Sequence, residues 1–113
     1  MYFLLVLFLF SLALSTAAAD AHHSPTGMKY DPWCCNGDGE HGDCAPIPSR
    51  DVSIRKNGYE IVLNPGDHPG VHSTHIFIES FKSARISTDG QYHACLFPTE
   101  NQLRCFYAPP QGS

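Results

Sequence analysis

Five cysteines, Cys34, Cys35, Cys44, Cys95 and Cys105, stand in a chain of 113 residues, and the compartment they occupy decides what the chain can fold into. Residues 2–14, YFLLVLFLFSLAL, form a nearly unbroken apolar run, and the following STAAADA offers small residues at the minus 3 and minus 1 positions of a signal-peptidase site. A spanning helix needs about 20 apolar residues. The run is shorter than that, so residues 1–19 read as a secretory signal peptide, with an uncleaved anchor as the alternative. Export to a secreted or periplasmic location makes disulfides the default fate of the cysteines. An odd count leaves one over, or makes one the link of a disulfide-bonded dimer.

Cleavage after Ala19 leaves 113 − 19 = 94 residues, enough for one domain and no second core. With 7 Lys+Arg against 11 Asp+Glu the net charge is −4. No basic patch is present for a phosphate backbone, which excludes nucleic-acid binding, and after cleavage no membrane segment remains. Residues 20–50 lack hydrophobic periodicity and are rich in Gly and Pro, which predicts an irregular arm followed by a Cys-rich acidic loop. Residues 51–113 carry strand patterns, and the two parts together read as one folded unit.

In DVSIRKNGYEIVL, Asn57-Gly58 flanked by alternating apolar residues predicts a two-residue type I′ hairpin. That turn pairs Lys56 with Tyr59, Arg55 with Glu60, Ile54 with Ile61 and Val52 with Leu63. STHIFIES, residues 73–80, reads as a third strand, and residues 81–91 as a loop with room for one short strand before Asp89-Gly90. YHACLFPTENQLRCFYAPP predicts a second hairpin with His93 opposite Tyr107, Cys95 opposite Cys105 and Phe97 opposite Leu103, while an even-length connection slips the pairing by one. Tyr92, Ala94, Leu96 and Phe106 make its other face apolar, so this hairpin is expected to be covered on both sides. The fold class is therefore mostly β: a small antiparallel sheet of about five strands, rolled or sandwiched, stabilised by disulfides.

Adjacent Cys34 and Cys35 are poor partners for each other and point to different sulfurs. The favoured pairing joins Cys95 to Cys105 across the hairpin and one of Cys34 or Cys35 to Cys44. The alternative ties Cys34 or Cys35 to Cys95 or Cys105. Cys34, Cys35, Cys44 and His41 supply zinc-type ligands, but Cys-Cys adjacency is not CxxC geometry. Asn36, Asp38 and Glu40 imitate the start of a calcium loop, yet His41 and Ile47 occupy its required Gly and Glu positions. No CxxC, GxSxG or phosphate-cradling loop occurs, so nothing in the motifs points to catalysis.

A mature terminus Asp20-Ala21-His22 supplies an amine, two amide nitrogens and an imidazole, the square-planar set that suits Cu(II) or Ni(II). The alternative cut after Ala21 leaves His22 at the terminus, with His23 as the next ligand. Asp67, His68, His72 and His75 in DHPGVHSTH form a secondary metal candidate, and His93 reads as a hydrogen-bonded core histidine.

YDPWCCNGDGEHGDC early, with DGQYHACLFP and LRCFYAPP late, resembles a group of small exported proteobacterial proteins. The resemblance implies a periplasmic or secreted setting and carries over no activity and no site residue. Taken together, the residues favour an exported, disulfide-stabilised binding or interaction module of the cell envelope, not an enzyme and needing no cofactor, its partner an unspecified protein or envelope component. The rivals are a periplasmic Cu(II)- or Ni(II)-binding protein and, further off, a thiol-active enzyme.

Overall fold

The computed structural model describes residues 23–35 and 43–110. The signal segment 1–19, the terminal ligands Asp20, Ala21 and His22, and Asn36, Asp38, Glu40 and His41 of the acidic loop lie outside them. Seven strands run in order: β1 (Cys44–Ile47), β2 (Val52–Ile54), β3 (Gly58–Leu63), β4 (His75–Ser80), β5 (Arg85–Ile86), β6 (Tyr92–Leu96) and β7 (Leu103–Ala108). They form a four-stranded sheet, β1-β6-β7-β5, and a three-stranded sheet, β2-β3-β4. All pairs are antiparallel except β5 with β7. Among the described residues no helix is long and apolar enough to cross a membrane.

Two strands exceed the five expected. β1 lies inside the stretch read as irregular, because its prolines hid it. At a sheet edge the missing N–H of Pro46 does no harm. β5 is only two residues long and gives no periodic signal.

Side-chain alternation explains the layers. Tyr59, Ile61 and Leu63 of β3 meet Ile47, Ala94, Leu96, Phe106 and Ala108 of the four-stranded sheet in one core. The opposite face of that sheet presents Cys44, Cys95, Cys105 and Tyr107, which pack with Met28, Tyr30, Cys34 and Cys35 of the N-terminal arm. The β6–β7 hairpin is thus covered on both faces, as its sequence predicts.

The first hairpin keeps its faces but changes register. Val52 pairs with Ile61 and Ile54 with Tyr59, two residues from the expected pairing, and the Arg55 N–H donates to the Gly58 carbonyl at 2.7 Å. Lys56 and Asn57 are therefore the turn, and neither has positive φ, so it is not type I′. Gly58 serves another purpose. A Cβ there would lie 2.1 Å from the Glu79 carbonyl oxygen, so only glycine lets β4 pass this close. In the second hairpin His93↔Tyr107 and Cys95↔Cys105 hold, but a bulge after Cys95 brings Leu96, not Phe97, opposite Leu103.

Candidate functional site

β6 lies between β1 and β7, so Cys95 faces two cross-strand neighbours at once, Cys44 on one side and Cys105 on the other. Three cysteines therefore form a row across the sheet. The arm lays Cys34 and Cys35 over that row, and all five sulfur-bearing side chains are buried. Cys34 is bridged to Cys105 with Cα atoms 5.6 Å apart. Cys44 is bridged to Cys95 with Cα atoms 3.9 Å apart. The neighbouring Leu96 N–H donates to the Asp43 carbonyl at 2.9 Å, which makes Cys44/Cys95 a non-hydrogen-bonded pair, where antiparallel Cα atoms approach most closely.

The favoured Cys95–Cys105 bridge is not formed, although the two residues are opposite. The sequence hid the competitor, since β1 was not recognised as the strand that delivers Cys44 to the other side of Cys95. The arm then delivers Cys34 to Cys105, one of the links open in the alternative pairing. Cys35 takes part in neither bridge, and its Sγ lies 2.7 Å from the Cys44 Sγ. Cys44 is oxidised, so the S–H in this contact belongs to Cys35. Cys35 is also the residue consistent with a disulfide-linked dimer, though its side chain is only 5 % exposed.

The Sγ atoms of Cys35, Cys44 and Cys95 all lie within 4.8 Å of one another, a cluster able to chelate a metal ion once the Cys44–Cys95 bond is reduced. Thiolates are soft ligands that select Cu(I), Zn or Fe–S clusters. Nothing in this donor set singles out Cu(II) or Ni(II).

Beside the sulfurs runs a chain of polar groups. His93 Nε2 lies 2.9 and 3.0 Å from the two oxygens of Asp89, and its Nδ1 lies 2.8 Å from the Tyr30 hydroxyl. A carboxylate only accepts, so Nε2 carries a hydrogen, and in that tautomer Nδ1 accepts from the Tyr30 O–H. Burial pushes the Tyr30 phenol well above its ordinary value, which keeps that O–H in place. At Asp89 burial pulls upward, but hydrogen bonds from Thr26, His93, Ser87 and the Gln91 N–H outweigh it and hold the carboxyl well below the usual range. Tyr107 is pushed up to about 12, chiefly by burial, and its hydroxyl donates to Asp31 at 2.7 Å. Asp31 in turn pairs with Arg85 at 2.9 Å. Every member of these chains has its partner, and together they bind the arm to β6 and β7. His93 is the hydrogen-bonded core histidine that the sequence indicated.

The four secondary metal candidates do not gather in one place. His68 is buried, with Nε2 3.0 Å from the carbonyls of Asp43 and Ala94, while Nδ1 accepts the Gly70 N–H at 2.9 Å. That leaves no lone pair for a metal, and burial lowers its pKa. Asp67 engages Arg50 at 3.1 Å and the Asn64 N–H at 3.0 Å. His72 and His75 do converge, on the two oxygens of Glu100, at 2.8 and 2.7 Å. Those contacts, with the backbone N–H groups of His72 and Ser73, hold the Glu100 carboxyl well below its ordinary value. Glu100 thus closes the 64–75 connection onto the β6–β7 turn, beside an open cleft of about 360 Å³. His23 pairs with Lys29 in an isolated bridge at the start of the arm.

Sequence reasoning missed Tyr30, Asp89, Tyr107 and Glu100. Only Asp89 carried a local signal, an acid four residues before His93 at an Asp-Gly turn whose glycine has φ 77°. The other three meet their partners across 25 residues or more. No protein-family model, curated protein or solved structure matches the chain.

Proposed function

We propose that this chain is a small exported binding module of the cell envelope, without catalysis of its own, that receives an extended segment of a partner protein along β4. The observation that carries the reading is the exposure of Ile76 and Ile78, 65 % and 73 %, on the outward face of a strand at the sheet edge. Val62 lies directly opposite Ile76 and extends the apolar surface onto β3. No other strand among the described residues pairs with the outer side of β4, and HIFIES contains none of the Pro or Lys residues that commonly guard an edge.

Strand addition would pair those backbone groups and bury the isoleucines, the usual source of affinity and specificity in such complexes. The inward row of β4 ends in Glu79, whose carboxyl burial holds above its ordinary value. A partner strand with alternate apolar residues and a Lys or Arg opposite Glu79 meets both requirements. The apolar run at residues 2–14, the two disulfides and the resemblance to exported proteobacterial proteins support the envelope setting. The copper or nickel reading rests on residues 20–22, outside the described residues, and no observation here favours it.

The test places a photoreactive amino acid at position 78 of the full chain in the exporting cell, with position 86, where Ile86 is equally exposed but lies in the other sheet, as control. A discrete adduct from position 78, lost when Ile76→Lys is added and not seen from position 86, is expected. The same adducts from both positions would defeat the reading. An adduct of twice the chain's mass would replace the partner by a second copy.

A further inference from the structure

We infer that Cys35, Cys44 and Cys95 are a thiol–disulfide exchange site, in which the thiolate of Cys35 attacks the Cys44 sulfur and releases Cys95. The inference stands on the sulfur geometry alone, independently of the binding surface on β4. The Cys35 and Cys44 Sγ atoms are 2.7 Å apart, closer than sulfurs come in ordinary packing, and the attacked sulfur already belongs to a disulfide. Exchange of this kind needs a thiolate, a disulfide and access between them, and all three groups lie in one buried cluster.

The step balances without an external oxidant. The bond between Cys44 and Cys95 breaks, a bond between Cys35 and Cys44 forms, and the electron pair leaves on Cys95. The proton given up by Cys35 is taken up at Cys95, so one thiol and one disulfide remain. Cys95, the leaving group, is fully buried, which favours its reprotonation over persistence as a thiolate.

The exchange changes what the covalent link does. Joined to Cys95, Cys44 fastens the edge strand β1 to the central strand β6. Joined to Cys35, nine positions earlier in sequence, it closes the acidic loop on itself, and β1 keeps its hydrogen bonds to β6 and the packing of Ile47 in the core. The Cys34–Cys105 bridge takes no part and holds the arm in place in both forms. This is the loop-closing bridge weighed from the sequence, reached by exchange and not by oxidation.

The experiment maps thiols in the natively exported chain. The folded protein is incubated at mildly alkaline pH, trapped in acid so that no thiolate survives unfolding, and labelled with a maleimide in denaturant before peptide mapping without reductant. At least about one-tenth of the label is expected on Cys95, the remainder on Cys35, a ratio of about ninefold or less, equal to at most about 1.3 kcal/mol between the forms. The variant Cys95→Ser should show a Cys35–Cys44 peptide pair and no label on either residue, while Cys35→Ser should show only the Cys44–Cys95 pair. Label confined to Cys35 in the parent chain would overturn the inference, as would two labelled thiols at Cys35 and Cys44 in Cys95→Ser. The parent measurement needs no substitution and so does not depend on whether a variant folds.

Discussion

Replacing Cys34 and Cys105 together by alanine, in a chain carrying Cys35→Ser so that no thiol is left to exchange, isolates the outer bridge. Standing alone, a bridge between residues 71 apart would stabilise the fold by about 4.4 kcal/mol in the loop-entropy model. It does not stand alone, because the Cys44–Cys95 bridge spans 51 residues wholly inside it. With the inner bridge intact, the outer one closes only the difference, 71 less 51 or 20 residues of chain, and its contribution falls to about 3.3 kcal/mol. Once the outer bridge is gone, the inner one stands as an isolated 51-residue loop, and its loss then costs about 4.1 kcal/mol. The second loss is therefore the larger. In a domain of this size each kcal/mol lowers the melting temperature by about 4–8 °C, so the first loss should show as a fall of about 13–26 °C. Thermal unfolding without reductant, followed by circular dichroism, reads it. A fall of only a few degrees would mean that packing of Met28 and Tyr30 holds the arm by itself. Equal costs for the first and second bridge would refute the nesting argument.

Gly58→Ala should cost about 1–3 kcal/mol in urea unfolding, since its Cβ must displace the backbone of Glu79 and Ser80; an unchanged midpoint would show that β3 and β4 do not approach so closely. Asp51 is pushed up to about 6, first by burial and then by its hydrogen bond to Asp67 and the charge there, and one of its oxygens has no hydrogen-bond partner. The folded chain holds this proton more tightly than the unfolded chain does, so stability is lost as pH rises from the ordinary carboxylate value of 3.8 through about 6. Asp51→Asn should therefore gain on the parent between about pH 4 and pH 7, and a difference independent of pH would refute it. Asp89 has the opposite sign: its lowered pKa stabilises the fold above the ordinary carboxylate range and is lost in acid, so Asp89→Asn should cost about 1.5–3 kcal/mol near neutrality and less in strong acid, by urea midpoints.

What was legible in the sequence was what repeats at short range. The inward row of β3 and the two-sided hairpin follow from period-two alternation, which also puts Ile76 and Ile78 on one face of β4 but does not say that this face is the exposed one. The turn at Asn57-Gly58 shows where that reasoning overreached. Asn-Gly is a strong local signal, but here the glycine answers to a neighbouring strand 21 residues further on, a requirement that local pattern does not contain. The disulfides failed for the same reason. Cys95 faces Cys105 as the hairpin predicts, yet bonding was decided by β1, a proline-bearing edge strand with no alternation to betray it. Glu100, Tyr30 and Tyr107 were invisible because a hydrogen-bond partner 25 to 76 residues away leaves no trace in spacing.

The arm and β1 explain why so many sulfurs sit on one face. Residues 23–35 contain no regular strand or helix, only an isolated bridge between His23 and Lys29 and two tight turns, so they offer few backbone bonds to offset the entropy of ordering them. Met28 and Tyr30 bury apolar surface, but a segment this irregular needs a covalent tie, and Cys34–Cys105 places it over β7. β1 has the converse problem. It is four residues long, at an edge, and interrupted by Pro46, so the Cys44–Cys95 bond does for it what a longer ladder would do. The two bridges therefore act on different elements. The one that fastens β1 has the Cys35 sulfur 2.7 Å away, and moving Cys44 from Cys95 to Cys35 loosens an edge while the arm keeps its own bridge. An exchange on the other bridge would instead release the arm itself, the element whose place over β7 depends on a covalent tie.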